Sequence, residues 1–266
     1  MLGSPISHSL SPVLHRAAYA ALGLDWNYDA IEVGEADLPG FIDACGPEWV
    51  GVSLTMPLKA AVLPLLAETT DNVDLAGAAN TVLFTDTGPI GDNTDIPGMR
   101  RAMADATGEA NARIVSAAIL GGGATARSAL VALESMGARD VHVGLRSPAR
   151  GVELEQVARA LHVTLHLHPW DEIGHHLDVD AVVSTVPSGA ADRFADNVPT
   201  SAGILLDVAY GAPSRLLDAW RARAAPAADG LDLLLWQAVD QVRLMTGLDA
   251  PVEDMRRALI GAGTRP

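Results

Sequence analysis

An α/β protein of two domains is the fold class the sequence predicts, on three observations. Short apolar runs alternate with helix-like segments from end to end, the pattern of strands covered by helices. One such run passes directly into three glycines, Gly121, Gly122 and Gly123, and then into a helix-like segment. With 266 residues the chain can build two modest cores, since domains commonly run about 100–200 residues.

The elements follow in order. Ser11 suits a helix N-cap, Pro12 the first helical position and Gly23 the stop. Residues 49–54 read as a short buried strand, and Pro57 then opens a helix expected to run through Leu66. Residues 80–84 and 90–95 form two strands around a turn at Thr87-Gly88. Residues 97–108 are a connecting helix, 117–120 a buried strand, 125–136 a helix and 141–143 the next strand. Residues 180–185 and 204–208 continue the same parallel sheet, and residues 221–228 read as a crossing point. Two helices, 233–245 and 252–260, finish the chain.

Composition narrows the function. A net charge of −15 repels phosphate backbones and anionic lipid, so neither nucleic acid nor membrane is expected as a partner. No apolar run reaches the ~18–20 residues of a membrane span. The first residues lack a basic and then apolar leader. The single cysteine, Cys45, forms no internal disulfide, so a cytoplasmic location is expected. Lys59 is the only lysine among 18 basic residues. An arginine-rich chain can retain one lysine anywhere by chance, or it retains one where an amine must lose its proton, which a guanidinium does not do.

The pattern Gly121-x-Gly123-x-x-Ala126 follows a strand and opens a helix. Glycines there permit a tight turn and close approach of a pyrophosphate to free helix N–H groups. A second strand ends about 20 residues on, where NAD enzymes place an acidic residue on the ribose. Here that place holds Leu145, Arg146, Ser147 and Arg150. Two guanidiniums and a hydroxyl suit a 2′-phosphate, so the expectation is a Rossmann-type, doubly wound domain that takes NADP.

Three polar clusters lie in the first domain. Ser9 and Ser11 share one loop and together suit a carboxylate, although capping alone accounts for Ser11. Lys59 falls in the first turn of its helix, where a cation opposes the macrodipole by a few tenths to ~1 kcal/mol. That unfavourable placement points to proton transfer. With Thr87-Gly88 as a two-residue turn, Asp86 pairs with Pro89 and Asn80 falls opposite Asp95. This makes a donor–acceptor pair for vicinal hydroxyls, although each residue alone is also an ordinary turn residue.

Together these pieces resemble the shikimate dehydrogenase family over nearly the whole chain. The resemblance rests on residues 3–15 (GSPISHSLSPVLH), 55–59 (TMPLK), 77–81 (GAANT) and 91–95 (GDNTD). The glycine loop, the Arg146 segment, residues 207–210 (DVAY) and residues 229–238 complete it. It implies hydride exchange between NADP and the ring carbon bearing the C3 hydroxyl, interconverting shikimate and 3-dehydroshikimate. It implies that Ser9 and Ser11 hold the carboxylate with Tyr210 nearby. Thr55, Asn80, Asp95 and Gln237 would bind ring hydroxyls, and Lys59 would be the acid/base, paired with Asp95. Gly121, Gly122, Gly123, Ala124 and Thr125 would cradle the phosphates, and Leu145 to Arg150 the adenosine end. Val208 and Gly230 would flank the nicotinamide, and Asp71 is carried over among the cofactor contacts.

The implied organisation is a shikimate-binding domain of residues 1–97 and 229–266, to which the C-terminal helices return, and an NADP-binding domain of residues 98–228. The protein would act as a monomer or homodimer. Departures include Leu145 in place of an asparagine, and Asp232-Leu233 in place of Gly-Met near the nicotinamide. A quinate or quinate/shikimate dehydrogenase is the nearest alternative, and a non-catalytic ligand-binding relative a more distant one. His166/His168 and His175/His176 lack a cysteine or acid at ligand spacing, so no metal is expected.

Overall fold

In the computed structural model, residues 1–109 and 113–262 are described. The chain divides into two compact units, residues 1–94 with 234–266 and residues 95–233.

The first unit begins with β1 (Leu2–Gly3), α1 (Ser11–Ala21), β2 (Ile31–Glu32), α2 (Leu38–Asp43), β3 (Gly51–Ser53) and α3 (Leu58–Ala61). It continues with β4 (Glu68–Thr69), α4 (Asp71–Ala76), β5 (Thr81–Thr85) and β6 (Gly88–Asp92). β3, β5, β6 and β4 form one sheet in that order, with β3 and β6 antiparallel to β5 and β4 parallel to β6. β1 pairs with β2, and Leu2 also bridges to Leu54. Alternate residues of β3 and β5, including Val52 and Val82, bury against Leu2, Leu38, Leu58 and Val73.

Two expectations fail here. The helix from Pro57 ends at Ala61 and gives way to a 3₁₀ turn over Leu63–Leu65, because Pro64 has no N–H to continue the ladder. A four-residue helix carries little macrodipole, so Lys59 meets little of the opposing dipole expected from the sequence. The hairpin turn is Asp86-Thr87: Thr85 pairs with Gly88 and Thr81 with Asp92. The register is shifted by two residues, Asn80 donates its N–H to Asp92 C=O at 3.0 Å, and Asp95 is not a strand residue.

The second unit holds α5 (Asp95–Thr107), β7 (Ser116–Leu120), α6 (Ala124–Ser135), β8 (Asp140–Leu145), α7 (Gly151–Leu161) and β9 (Thr164–Pro169). β10 (Ala181–Ser184), β11 (Ile204–Asp207), α8 (Arg215–Ala222) and β12 (Ala227–Ala228) follow. Its six strands are all parallel, in the order β9-β8-β7-β10-β11-β12. Numbered from β7, this is 3-2-1-4-5-6, the doubly wound Rossmann arrangement, whose ligand crevice lies between the first and fourth strands. Residues 221–228, read as a crossing point, instead end α8 and supply the edge strand β12. One face of the sheet buries Ala118, Leu120, Val182 and Leu205 under Phe194, Leu216 and Trp220. The Trp220 indole N–H is satisfied by Gly203 C=O at 2.8 Å.

α9 (Gly230–Thr246) passes from the second unit into the first, and α10 (Val252–Gly261) packs on α1. Among the described residues no helix is long and apolar enough to cross a membrane.

Candidate functional site

In the first unit the polar clusters are joined by backbone bonds. Thr55 N–H donates to Leu2 C=O at 2.9 Å and Ser4 N–H to Met56 C=O at 3.1 Å. These bonds lay the serine loop along the segment that carries Thr55 and Lys59. Leu54 N–H donates to Asn80 C=O at 2.7 Å and Ala79 N–H to Lys59 C=O at 2.8 Å, which ties the same segment to Asn80.

The two serines exchange their expected parts. Ser9 Oγ accepts the Ser11 N–H at 3.3 Å and so serves the helix start. Ser11 is the first residue of α1, not its cap. Its Oγ is fully buried and makes no hydrogen bond of good geometry in the protein, although the Tyr28 hydroxyl lies near it. An unmet buried hydroxyl costs about 1–3 kcal/mol, and a bound carboxylate would satisfy it.

Asn80, 1 % exposed, is the hub of the opposite wall. Its Oδ1 accepts Thr94 N–H at 2.9 Å and Thr81 Oγ1–H at 2.8 Å, and its Nδ2 donates to Thr94 Oγ1 at 2.9 Å. This fixes the corner from which Asp95 begins α5. From α9, Gln241 Nε2 donates to Thr81 Oγ1 at 3.0 Å, and its Oε1 pairs with His15 Nε2 at 3.2 Å. One turn earlier, the buried Gln237 donates to Leu234 C=O at 2.9 Å. Burial, opposed by the Gln241 bond, lowers the His15 pKa to about 3, so the ring is neutral throughout the physiological range. Asp71 opens α4 as an exposed residue, where an acid is favoured at a helix start.

The second unit brings the glycine loop and the segment after β8 together at the carboxyl ends of its strands. Gly121 has φ +116°, and a Cβ on it would lie 2.5 Å from Thr185 Oγ1 at the end of β10. Thr185 N–H and Oγ1–H both donate to Leu120 C=O, at 2.8 and 2.9 Å, closing the floor of the crevice. A Cβ on Gly122 would strike Leu145 and Arg150, so the loop backs onto the segment that follows β8. Gly123 caps α6, whose first N–H groups have no side-chain cap and can meet phosphate oxygens. Arg146, Ser147 and Arg150 are exposed beside it. A cleft of about 480 Å³ opens there, lined by Leu145, Arg146, Pro148, Leu167, Trp170 and neighbours. These residues fit a phosphorylated dinucleotide.

Val208 and Gly230 also meet. A Cβ on Gly230 would lie 2.4 Å from Val208 C=O, so glycine lets the start of α9 close against the end of β11. Tyr210 follows two residues on, half-buried. Asp207, at the end of β11, accepts Ser214 Oγ–H at 2.7 Å, and burial raises its carboxyl above the usual range.

The N-terminal part of the chain, residues 1–82, matches the family model described as "Shikimate dehydrogenase substrate binding domain". Residues 230–260 match "Shikimate 5'-dehydrogenase C-terminal domain". A shikimate dehydrogenase (NADP(+)) of Citrifermentans bemidjiense is 36% identical, with 100% of this chain and 95% of the relative covered. The chain belongs to the shikimate dehydrogenase family. Among solved structures, Mycobacterium tuberculosis shikimate dehydrogenase superposes with a TM-score of 0.88 at 40% identity, covering 98% of this chain and 97% of the other. The Thermus thermophilus enzyme in complex with NADP(H) and shikimate has a TM-score of 0.85 at 31% identity, covering 98% and 97%.

Within this family frame, several residues escaped the sequence reading. His15, Thr94, Thr185 and Gln241 all organise the polar walls. Gln241 had a signal, since it stands four residues after Gln237 and shares its helix face. Thr185 and His15 had none, because their partners are 65 and 226 residues away. The departure at Asp232 has a structural reason. Its Oδ2 accepts Asp229 N–H at 3.0 Å while Asp229 Oδ1 accepts Asp232 N–H at 3.3 Å, a reciprocal cap on α9.

Proposed function

We propose that this chain catalyses the reversible reduction of 3-dehydroshikimate to shikimate with NADPH, in chorismate and aromatic amino acid biosynthesis. The observation that carries the reading is the buried, unpartnered Ser11 Oγ beside Ser9. It is a donor waiting for an anion on a chain whose overall charge repels anions. Ser9 and Ser11 grip the substrate carboxylate, with Tyr210 nearby, and Thr55, Asn80, Asp95 and Gln237 orient the ring hydroxyls. Bound NADPH supplies the hydride to the C3 carbon. Lys59, paired with Asp95, gives its proton to the C3 oxygen in that direction and takes it back in the reverse one. Gly121 to Thr125 hold the pyrophosphate, Leu145 to Arg150 the adenosine phosphate, and Val208 and Gly230 the nicotinamide, with Asp71 the outlying member of the set. The protein acts in the cytoplasm, consistent with its lone cysteine, as a monomer or homodimer.

The test is NADP⁺ reduction with shikimate and quinate side by side, repeated with NAD⁺. Shikimate with NADP⁺ should be turned over with the highest kcat/KM. Arg146→Ala combined with Arg150→Ala should erase most of the preference for NADP⁺. Equal or faster turnover of quinate, or a preference for NAD⁺, would refute the assignment.

A further inference from the structure

Four of the eight histidines of the chain converge on one face of the second unit's sheet, and one of them, His168, also lines the cleft beside Leu145 and Arg146. In the parallel pairing of β8 with β9, His142 faces His166 and Gly144 faces His168. Strand alternation therefore puts Asp140, His142, His166 and His168 on a common face. A 3₁₀ turn, Ile173–His176, crosses this face. Ile173 seats against Gly144, where a Cβ would lie 2.7 Å from it, and the turn delivers His176. His142 Nδ1 lies 2.8 Å from His168 Nε2. The His168 and His176 rings stack at 3.9 Å, and those of His142 and His176 at 4.7 Å. One ring nitrogen from each of His142, His168 and His176 falls within 4.8 Å of the others.

We propose that His142, His168 and His176 form a binding site for a divalent transition ion of the Zn²⁺ type, which pins edge strand β9 and the 173–176 turn to β8. Imidazole nitrogen is a preferred donor for such ions, and three imidazoles with one open position are an established Zn²⁺ donor set. Zn–N bonds of about 2.0–2.1 Å in a tetrahedron place the nitrogens about 3.3 Å apart. His142 Nδ1 and His168 Nε2 already lie 2.8 Å apart, and the His176 nitrogen falls within 4.8 Å of the ligand atoms of both. His142 is already poised. Its Nε2 lies 3.6 Å from Asp140 Oδ1, and its Nδ1 is hydrogen-bonded to His168 Nε2 at 2.8 Å, a bond that a bound ion would replace. Asp140 Oδ1 also lies 3.2 Å from His166 Nε2, and His166 stacks on His142 at 4.9 Å. Burial and the neighbouring His176 hold both His142 and His168 below the ordinary histidine range.

The test is titration of the chelator-stripped protein with Zn²⁺ by calorimetry at pH 7.5, with thermal melts in Zn²⁺ and in EDTA. One ion per chain should bind with micromolar or lower Kd and raise Tm. His168→Gln and His176→Gln should each weaken binding at least tenfold while melting like the wild type in EDTA. His162→Gln, outside the cluster, should change nothing. Co²⁺ should give the intense visible absorption of a four-coordinate complex, lost in the same two variants. Absence of stoichiometric binding, or binding that survives in both variants, would overturn the proposal.

Discussion

A buried hydroxyl without a partner is retained against a free-energy cost, and Ser11 at the start of α1 is such a group. Binding and stability should separate at this residue. Ser11→Ala is expected to raise KM for shikimate by about 10-fold or more, the loss of one hydrogen bond to a charged group. Its Tm should stay at or above that of the wild type, as thermal melts would show. A variant that melts several degrees lower with unchanged KM would make Ser11 a structural residue only. Lys59 is argued from chemical type: an amine can release a proton where a guanidinium cannot. Lys59→Ala should lower kcat by ~10²–10⁴-fold, and Lys59→Arg nearly as much. Steady-state rates decide this, and a fully active arginine variant would leave Lys59 no part in proton transfer. The type and number of both residues were legible in the sequence. The inversion of Ser9 and Ser11 was not, because which hydroxyl reaches a backbone N–H depends on loop geometry that spacing does not encode.

At the scale of elements, strand and helix existence followed from apolar runs and capping residues, and the glycine loop was placed by its strand before and helix after. The β5–β6 turn was misread by one residue, and the register with it by two, since both Asp86-Thr87 and Thr87-Gly88 satisfy turn chemistry and only cross-strand pairing chooses. β9 went unread as a strand because it is an edge strand whose residues are mostly exposed or half-buried, so no continuous apolar run marks it. α1 carries a pH effect of its own. His15 is sealed between Gln241 of α9 and the stacked Tyr28 ring at 3.9 Å, and burial holds its pKa at about 3. The unfolded chain takes up this proton below about pH 6.5 and the folded chain only near 3. The stabilisation is complete above pH 6.5 and is lost as the pH falls towards 3. Between pH 7.5 and 5.0 the wild type should lose on the order of 2 kcal/mol more than His15→Gln. Urea unfolding at the two pH values measures that difference, and equal losses would show that His15 is not sealed.

At the scale of the molecule, a net charge of −15 spread over 266 residues sets acidic groups against one another. Raising ionic strength shortens the Debye length from about 30 Å at 0.01 M to about 8 Å at 0.15 M, so Tm should rise by a few degrees over that range. A Tm that falls with salt would mean that attractive ion pairs outweigh the repulsion. The same charge requires that the anion contacts proposed above be made by local devices, namely the serine loop, the α6 start and the arginines after β8.

Periodicity and the glycine loop by themselves determined the α/β class with a Rossmann-type domain, and the resemblance carried by the ordered motifs determined the family and its cofactor, because each is written in local runs or in the order of residue types along the chain. Tertiary structure alone decided the strand register, the His15–Gln241–Thr81 network and the meeting of His142, His168 and His176. Each of these joins residues separated by tens to hundreds of positions, and nothing local in the chain states which distant side chain will complete a hydrogen bond or a ligand set.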